Sequence, residues 1–264
     1  MTRRTGEWSP VAAALDTERL KLPRGTVIRL CTILLVAFVP LAGIGAVALA
    51  RAPQLPGAAA VKFAAYAQGD LATTHLTVLG QLLSVTVLLA GGFAAAWSFG
   101  REFSDGTAGA LAGLPVGRGA IAVAKGLVLA GWLVACVTAS TVVMICLSLL
   151  AGGRFDPASW QAAGLAWTVG LLGVALCLPF GWAASVTRSQ LGTVGVLIAV
   201  VMLTQIVVTL GGGAWFPFAV PSLASGLGGA DAAQLGPGSF AVTAAMGPVG
   251  LAASGWLWTR LDRT

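Results

Sequence analysis

Six stretches of this chain, at about 30–50, 76–100, 126–151, 161–183, 191–212 and 239–259, each run for roughly twenty residues without an Asp, Glu, Lys or Arg. A helix of that length spans the hydrocarbon layer of a bilayer. The chain is 57% hydrophobic and only 9% charged, against about a quarter charged in soluble domains. It therefore lacks the polar surface to coat a water-soluble globule. Lipid offers no partner to a backbone N–H or C=O, so each run must satisfy its own backbone as a helix. A β-barrel would alternate in hydropathy over about ten residues, and these runs do not. The expected fold class is all-α: one polytopic domain over 1–264 with six transmembrane helices.

Charge placement orients the six. The net charge of +6 resembles a nucleic-acid signal until it is mapped onto the loops. With both termini in the cytoplasm, the inner side carries Arg3, Arg4, Arg19, Lys21, Arg24, Arg29, Arg101, Arg118, Lys125, Arg188, Arg260 and Arg263. The outer side carries Arg51, Lys62 and Arg154. This positive-inside bias accounts for the basic balance without nucleic acid, and makes the lipid bilayer the first partner.

Residues 1–28 read as a cytoplasmic tail with one interfacial amphipathic helix. Ser9 can cap it, Pro10 suits its first turn and Pro23 stops it. Val11, Ala14, Leu15 and Leu22 gather on one side; Asp16, Glu18, Arg19 and Lys21 fill the rest. Ala48-Leu49-Ala50 imitates a signal-peptidase site. The apolar run before it is longer than a signal peptide's usual 7–15 residues, so the first span is expected to stay. Cys31, Cys136, Cys146 and Cys177 fall within spans, with no CxxC pair. They read as small core residues rather than metal ligands or disulfides.

Two loops exceed what mere connection requires. Residues 213–238 include Ala214-Trp215-Phe216-Pro217-Phe218-Ala219-Val220-Pro221. This segment is apolar, yet too short and too Pro-broken to cross, so it is expected to dip into the outer leaflet as a re-entrant element. Residues 101–125 form a charged cytoplasmic insert. Ser104 or Asp105 is expected to cap a short helix through Gly106, Thr107, Leu111 and Leu114, stopped by Pro115. Arg118 and Lys125 share a helical face and are expected to snorkel to the cytoplasm. Glu102 can pair with either of them, in a solvated pair contributing about 0–1 kcal/mol. Trp97 and Phe99 read as an aromatic edge at the headgroup layer.

The chemistry of the spans narrows the function. Without ionisable groups near the midplane, a secondary carrier lacks its commonest coupling device. The only histidine, His75, reads as a wet boundary side chain, and no Ser–His pair is evident for a protease. No GxxxxGK[ST] cradle is present, so ATP chemistry would have to come from elsewhere. Catalytic and metal sites are expected to be absent. Gln81 and Ser84 in span two, with Thr204, Gln205 and Thr209 in span five, are the candidates for a substrate path. The alternative is hydrogen bonding between helices at about 0.6 kcal/mol each.

The ordered set Arg101-Glu102-Phe103, Gly106-Thr107, Leu111, Leu114-Pro115, Arg118 and Lys125 resembles the cytoplasmic loop of type-2 ATP-binding-cassette permeases. Glu18-Arg19-Leu20-Lys21-Leu22 is similar to that family's N-terminal interfacial helix, and Trp215 to Ser225 to its outer re-entrant element. Gly117 stands where family variants often carry Ser. The resemblance implies a cell-membrane permease pairing as a homo- or heterodimer with a second permease chain; the excess of Arg over Lys and the abundant Ala and Gly fit a high-GC bacterial genome. It implies that ATP and Mg are bound by separate ATP-binding subunits docked on a coupling helix after Gly106-Thr107, and not by this chain. Glu102, Gly106, Thr107, Leu111, Leu114, Pro115, Arg118 and Lys125 would form the coupling surface, with Glu18, Lys21 and Leu22 in the interfacial helix. It implies export, and the aromatic outer segment points to an amphipathic cargo, antibiotic-like or lipid. The competing readings are a secondary carrier and a non-transporting membrane anchor or sensor.

Overall fold

The computed structural model describes residues 10–52, 66–106, 117–227 and 229–261. Among them the regular structure is entirely helical. Six helices are long and apolar enough to cross a membrane: Thr26–Ala50, Leu71–Ser104, Arg118–Leu150, Pro157–Thr187, Gln190–Thr209 and Pro237–Arg260, spans one to six. Several outrun their apolar stretches because polar side chains start them early. The Asp70 carboxylate accepts the Thr73 amide at 3.0 Å ahead of span two. Asp156 accepts the Ser159 amide at 2.8 Å ahead of span four, and Ser189 accepts the Gly192 amide at 3.2 Å ahead of span five. The amide of Thr73 holds the Asp70 carboxyl below its ordinary range, and the Ser159 hydroxyl and amide do the same for Asp156. Both caps are therefore in place above the ordinary carboxylate pKa of about 4 and fade only as pH falls through the lower folded values.

The cations sort to two ends. Glu18, Glu102 and Lys125 meet at one end, which also carries Arg19, Lys21, Arg24, Arg29, Arg101, Arg118, Arg188 and Arg260; it is called the basic end below. The opposite end, among the described residues, carries Arg51 and Arg154. Arg101 lies over the Trp97 ring at 5.5 Å and Arg260 over Trp256 at 3.9 Å. These cation–aromatic pairs suit the headgroup layer.

Spans two and four form the centre, with 67% and 72% of their apolar windows buried, whereas span five is covered over only 17%. Small residues bring the central helices together. Span four breaks at Leu178, where Pro179 has no N–H to continue the ladder. Gly250 of span six sits on that break: a Cβ there would stand 2.5 Å from the Pro179 nitrogen and 2.8 Å from the Leu178 carbonyl carbon. Span one contains one π turn, Leu34–Phe38, in which the Val39 amide reaches back to the Leu34 carbonyl. It precedes Pro40, which cannot donate to the turn before it.

The 213–227 segment folds back among the spans. Ala219, Val220 and Leu223 are fully buried, and the short helix Val220–Ala224 packs on spans two and four. The Thr243 hydroxyl of span six donates to the Pro217 carbonyl at 3.4 Å. Phe218 meets Phe180 of span four edge-on at 6.2 Å. An irregular backbone at such depth is tolerated because protein surrounds it.

The contact at the span-four break yields a prediction. Gly250→Ala drives a methyl into backbone that cannot move aside, and is expected to destabilise by about 1–3 kcal/mol. Gly164→Ala, in span four where an added methyl meets nothing within 4 Å, is expected to be neutral or stabilising by up to about 1 kcal/mol. Thermal unfolding of the two variants in detergent checks the contrast.

Candidate functional site

The N-terminal helix Pro10–Lys21 begins on its proline and is followed by the turn Leu22–Arg24, which holds Pro23. Ala14, Glu18 and Leu22 are spaced four apart, so they share one face, and all three are buried. That register presses the Glu18 carboxylate into the protein rather than into water.

The carboxylate meets an ammonium there. Lys125 Nζ stands 3.1 Å from Glu18 Oε2 and 2.9 Å from Glu102 Oε1. Lys21 Nζ lies 3.1 Å from the other Glu18 oxygen. The Lys125 side chain is 4% exposed, that of Glu18 8% and that of Glu102 15%. The N-terminal helix, the last turn of span two and the first turns of span three are thus joined through one ammonium. Two carboxylates face two lysines, Lys21 being the exposed one, whereas Lys125, Glu18 or Glu102 alone would be a buried charge without a counter-charge.

An aromatic knot lies at the same end. Trp258 of span six donates its indole N–H to the Ser185 hydroxyl of span four at 2.7 Å. Phe99 and Phe103 of span two meet its ring edge-on at 6.1 and 5.8 Å. Ala14, Ile121, Ala122, Ala124 and Ala184 close around them. Edge-to-face pairs of this kind add about 0.5–1.5 kcal/mol each beyond area burial. The N-terminal helix and spans two, three, four and six therefore share one packed junction.

This geometry gathers Glu18, Glu102 and Lys125, adds Lys21 at its edge, and seats Leu22 in the apolar floor. It corrects several expectations. Lys125 does not snorkel outward, because two carboxylates and the packed N-terminal helix hold it inside. Its pair with Glu102 is not solvated. Phe99 is buried against Trp258 rather than standing at the headgroup edge. Ser104 and Asp105 close span two: the Ser104 hydroxyl donates to the Gly100 carbonyl at 3.2 Å, and Asp105 accepts from Arg101 at 3.0 Å; the helix expected to follow them lies outside the described residues. Gly106 takes φ +68°, the left-handed residue that ends a helix. Arg118 is the first residue of span three and half-buried. Thr107, Leu111, Leu114 and Pro115, like Ser9, lie outside the described residues.

Among the described residues no hydrogen bond joins the candidate path residues of span two to those of span five. Ser84 donates to the Gln81 carbonyl at 2.7 Å, Thr204 to Val200 at 2.7 Å and Thr209 to Gln205 at 2.8 Å, each within its own helix. The Gln81 side chain accepts from Tyr66 at 2.6 Å, and Gln205 is exposed. His75 is not wet: it is 2% exposed, and its Nδ1 lies 3.0 Å from the Ser148 hydroxyl. A Ser–His pair thus exists between spans two and three, where it ties the two helices together. Cys146 is exposed on span three, unlike the three buried cysteines.

Glu18 as a partner of Lys125 escaped the sequence reading. The available signal was its position: an acid between Ala14 and Leu22 on the apolar face of its own helix.

Together the six spans define an all-helical protein of multi-pass membrane type. The profile of the family described as "ABC-2 family transporter protein" matches residues 14–206, and the chain belongs to that family. The matched stretch runs from the N-terminal helix into span five and contains the whole Glu18–Lys125–Glu102 cluster. A search of curated proteins returns no match.

Lys125→Met removes the buried cation that Glu18 and Glu102 share, leaving a net negative junction, and is expected to destabilise by about 3–5 kcal/mol. Adding Glu18→Gln and Glu102→Gln removes the stranded charges and is expected to restore most of the loss. Thermal unfolding of the single and triple variants tests the order.

Proposed function

We propose that the chain is the membrane-spanning subunit of an ATP-driven exporter in the cell membrane of a bacterium, with both termini in the cytoplasm. Charge sorting supports the orientation, since the end rich in Lys and Arg faces inward in most membrane proteins. A separate ATP-binding subunit, carrying ATP and Mg, would dock on the loop between Gly106 and Arg118. A second permease chain would complete the pathway as a homo- or heterodimer. The carrying observation is the buried Glu18–Lys125–Glu102 cluster beside that loop. A force delivered to the loop reaches the ends of spans two and three, and the cluster hands it to the N-terminal helix without a flexible joint. The uncharged spans supply no ion-coupling group of their own, which favours this reading over a secondary carrier. The cargo would be amphipathic, antibiotic-like or lipid, with Gln81, Ser84, Thr204, Gln205 and Thr209 as the polar positions to examine along its path.

Purified together with an ATP-binding subunit encoded beside it and placed in vesicles, the chain is expected to support ATP hydrolysis that its cargo stimulates. Leu111→Asp with Leu114→Asp is expected to leave insertion intact and to lower cargo-stimulated hydrolysis at least about tenfold, the ratio that about 1.4 kcal/mol of lost coupling produces. Undiminished stimulation in that double variant would refute the docking role of the loop.

A further inference from the structure

An open apolar groove of about 740 Å³ runs along the first half of span one and the neighbouring part of span three. Its size falls within the roughly 300–1,000 Å³ of small-molecule sites. Ile28, Ile33 and Val36 form one wall, and Trp132, Ala135 and Ala139 the other. The small side chains of Ala135 and Ala139, four residues apart on one face of span three, hollow that wall. Trp132 is fixed as the floor by its indole N–H, which donates to Thr32 at 3.0 Å. The π turn Leu34–Phe38 contributes Val36 to the groove wall, and such turns often mark functional positions in helices.

A second hollow of about 480 Å³ adjoins it at the basic end, sharing Leu22 and Trp132 and bounded by Leu15, Arg19 and Gly131. The combined groove is thus apolar toward mid-span and cationic at its mouth. Arg29 lines the first hollow and spends only its Nε on the Pro23 carbonyl, at 3.0 Å. Arg19 lines the second and shares its charge with Asp16 at 4.0 Å. Arg24 is exposed on the turn between them.

An apolar trough opening sideways from a membrane helix, with guanidinium groups at its interfacial end, is complementary to a molecule with a long chain and an anionic head. We propose that this groove is a binding site for one anionic glycerophospholipid of the leaflet at the basic end. One acyl chain lies along Trp132, Ala135 and Ala139, and the phosphate sits on Arg19 and Arg29. A zwitterionic lipid satisfies the trough equally well but not its mouth. Each interfacial cation contributes roughly a fivefold preference for an anionic surface.

The test uses the full chain in lipid nanodiscs, with phosphatidylglycerol or phosphatidylcholine carrying brominated acyl chains as quenching probes. The Trp132 signal is the difference in fluorescence between the chain and its Trp132→Phe variant. Brominated phosphatidylglycerol is expected to quench this signal at a several-fold lower mole fraction than brominated phosphatidylcholine. Arg19→Gln with Arg29→Gln, both on exposed side chains, is expected to erase that preference. Arg101→Gln, at the same end but outside the groove, is expected to keep it. Ala135→Leu, which fills the trough, is expected to protect Trp132 from both lipids. Equal quenching by the two lipids overturns the proposal, as does a preference that survives the double arginine change. A Trp132 signal that neither lipid reaches overturns it too, since a second copy of the chain or another segment would then cover the groove.

Discussion

A lysine ammonium taken out of water is among the least tolerable groups in a protein interior, and the basic end is arranged around one. Lys125 sits between Glu18 and Glu102 at hydrogen-bond distance from each. Such a pair gains little net stability over an apolar replacement of the same shape, because desolvation consumes most of the Coulomb energy. What it supplies is exclusiveness. The docked rotation and register of the N-terminal helix are the ones that bring Glu18 inward, since turning it away would deprive Lys125 of its second carboxylate.

The junction combines that specificity with stiffness. Trp258 fixes span six to span four through Ser185, and Phe99 and Phe103 fix span two to the same ring. Close-packed groups of this kind rearrange between discrete packings rather than deforming smoothly. A displacement arriving at the end of span two is therefore passed on as a body movement. At the other end the helices are held by hydroxyl and carboxylate caps, including the Thr73–Ser159 contact at 3.1 Å between spans two and four.

Much of this was legible in the sequence because lipid imposes a simple rule: long uncharged runs become helices. All six spans follow from it. Helix ends were less legible, since caps such as Asp70 and Asp156 carry the backbone beyond the apolar window. Least legible were the partnerships. Glu18 with Lys125 and His75 with Ser148 each join residues far apart in sequence, and only the folded chain brings them together. Lone charged or polar residues near a span end look the same in sequence whether they face water or a partner. The register of Glu18 with Ala14 and Leu22 was the one hint, and helical periodicity carries it.

The bare contact of Gly250 on the Pro179 break has a mechanical corollary. With no side chain between the two backbones, the half of span four beyond the break cannot swing toward span six. Movement the other way is held by the Trp258 indole on Ser185. Any rocking of the bundle about this point therefore carries the two helices together, as one lever rather than two.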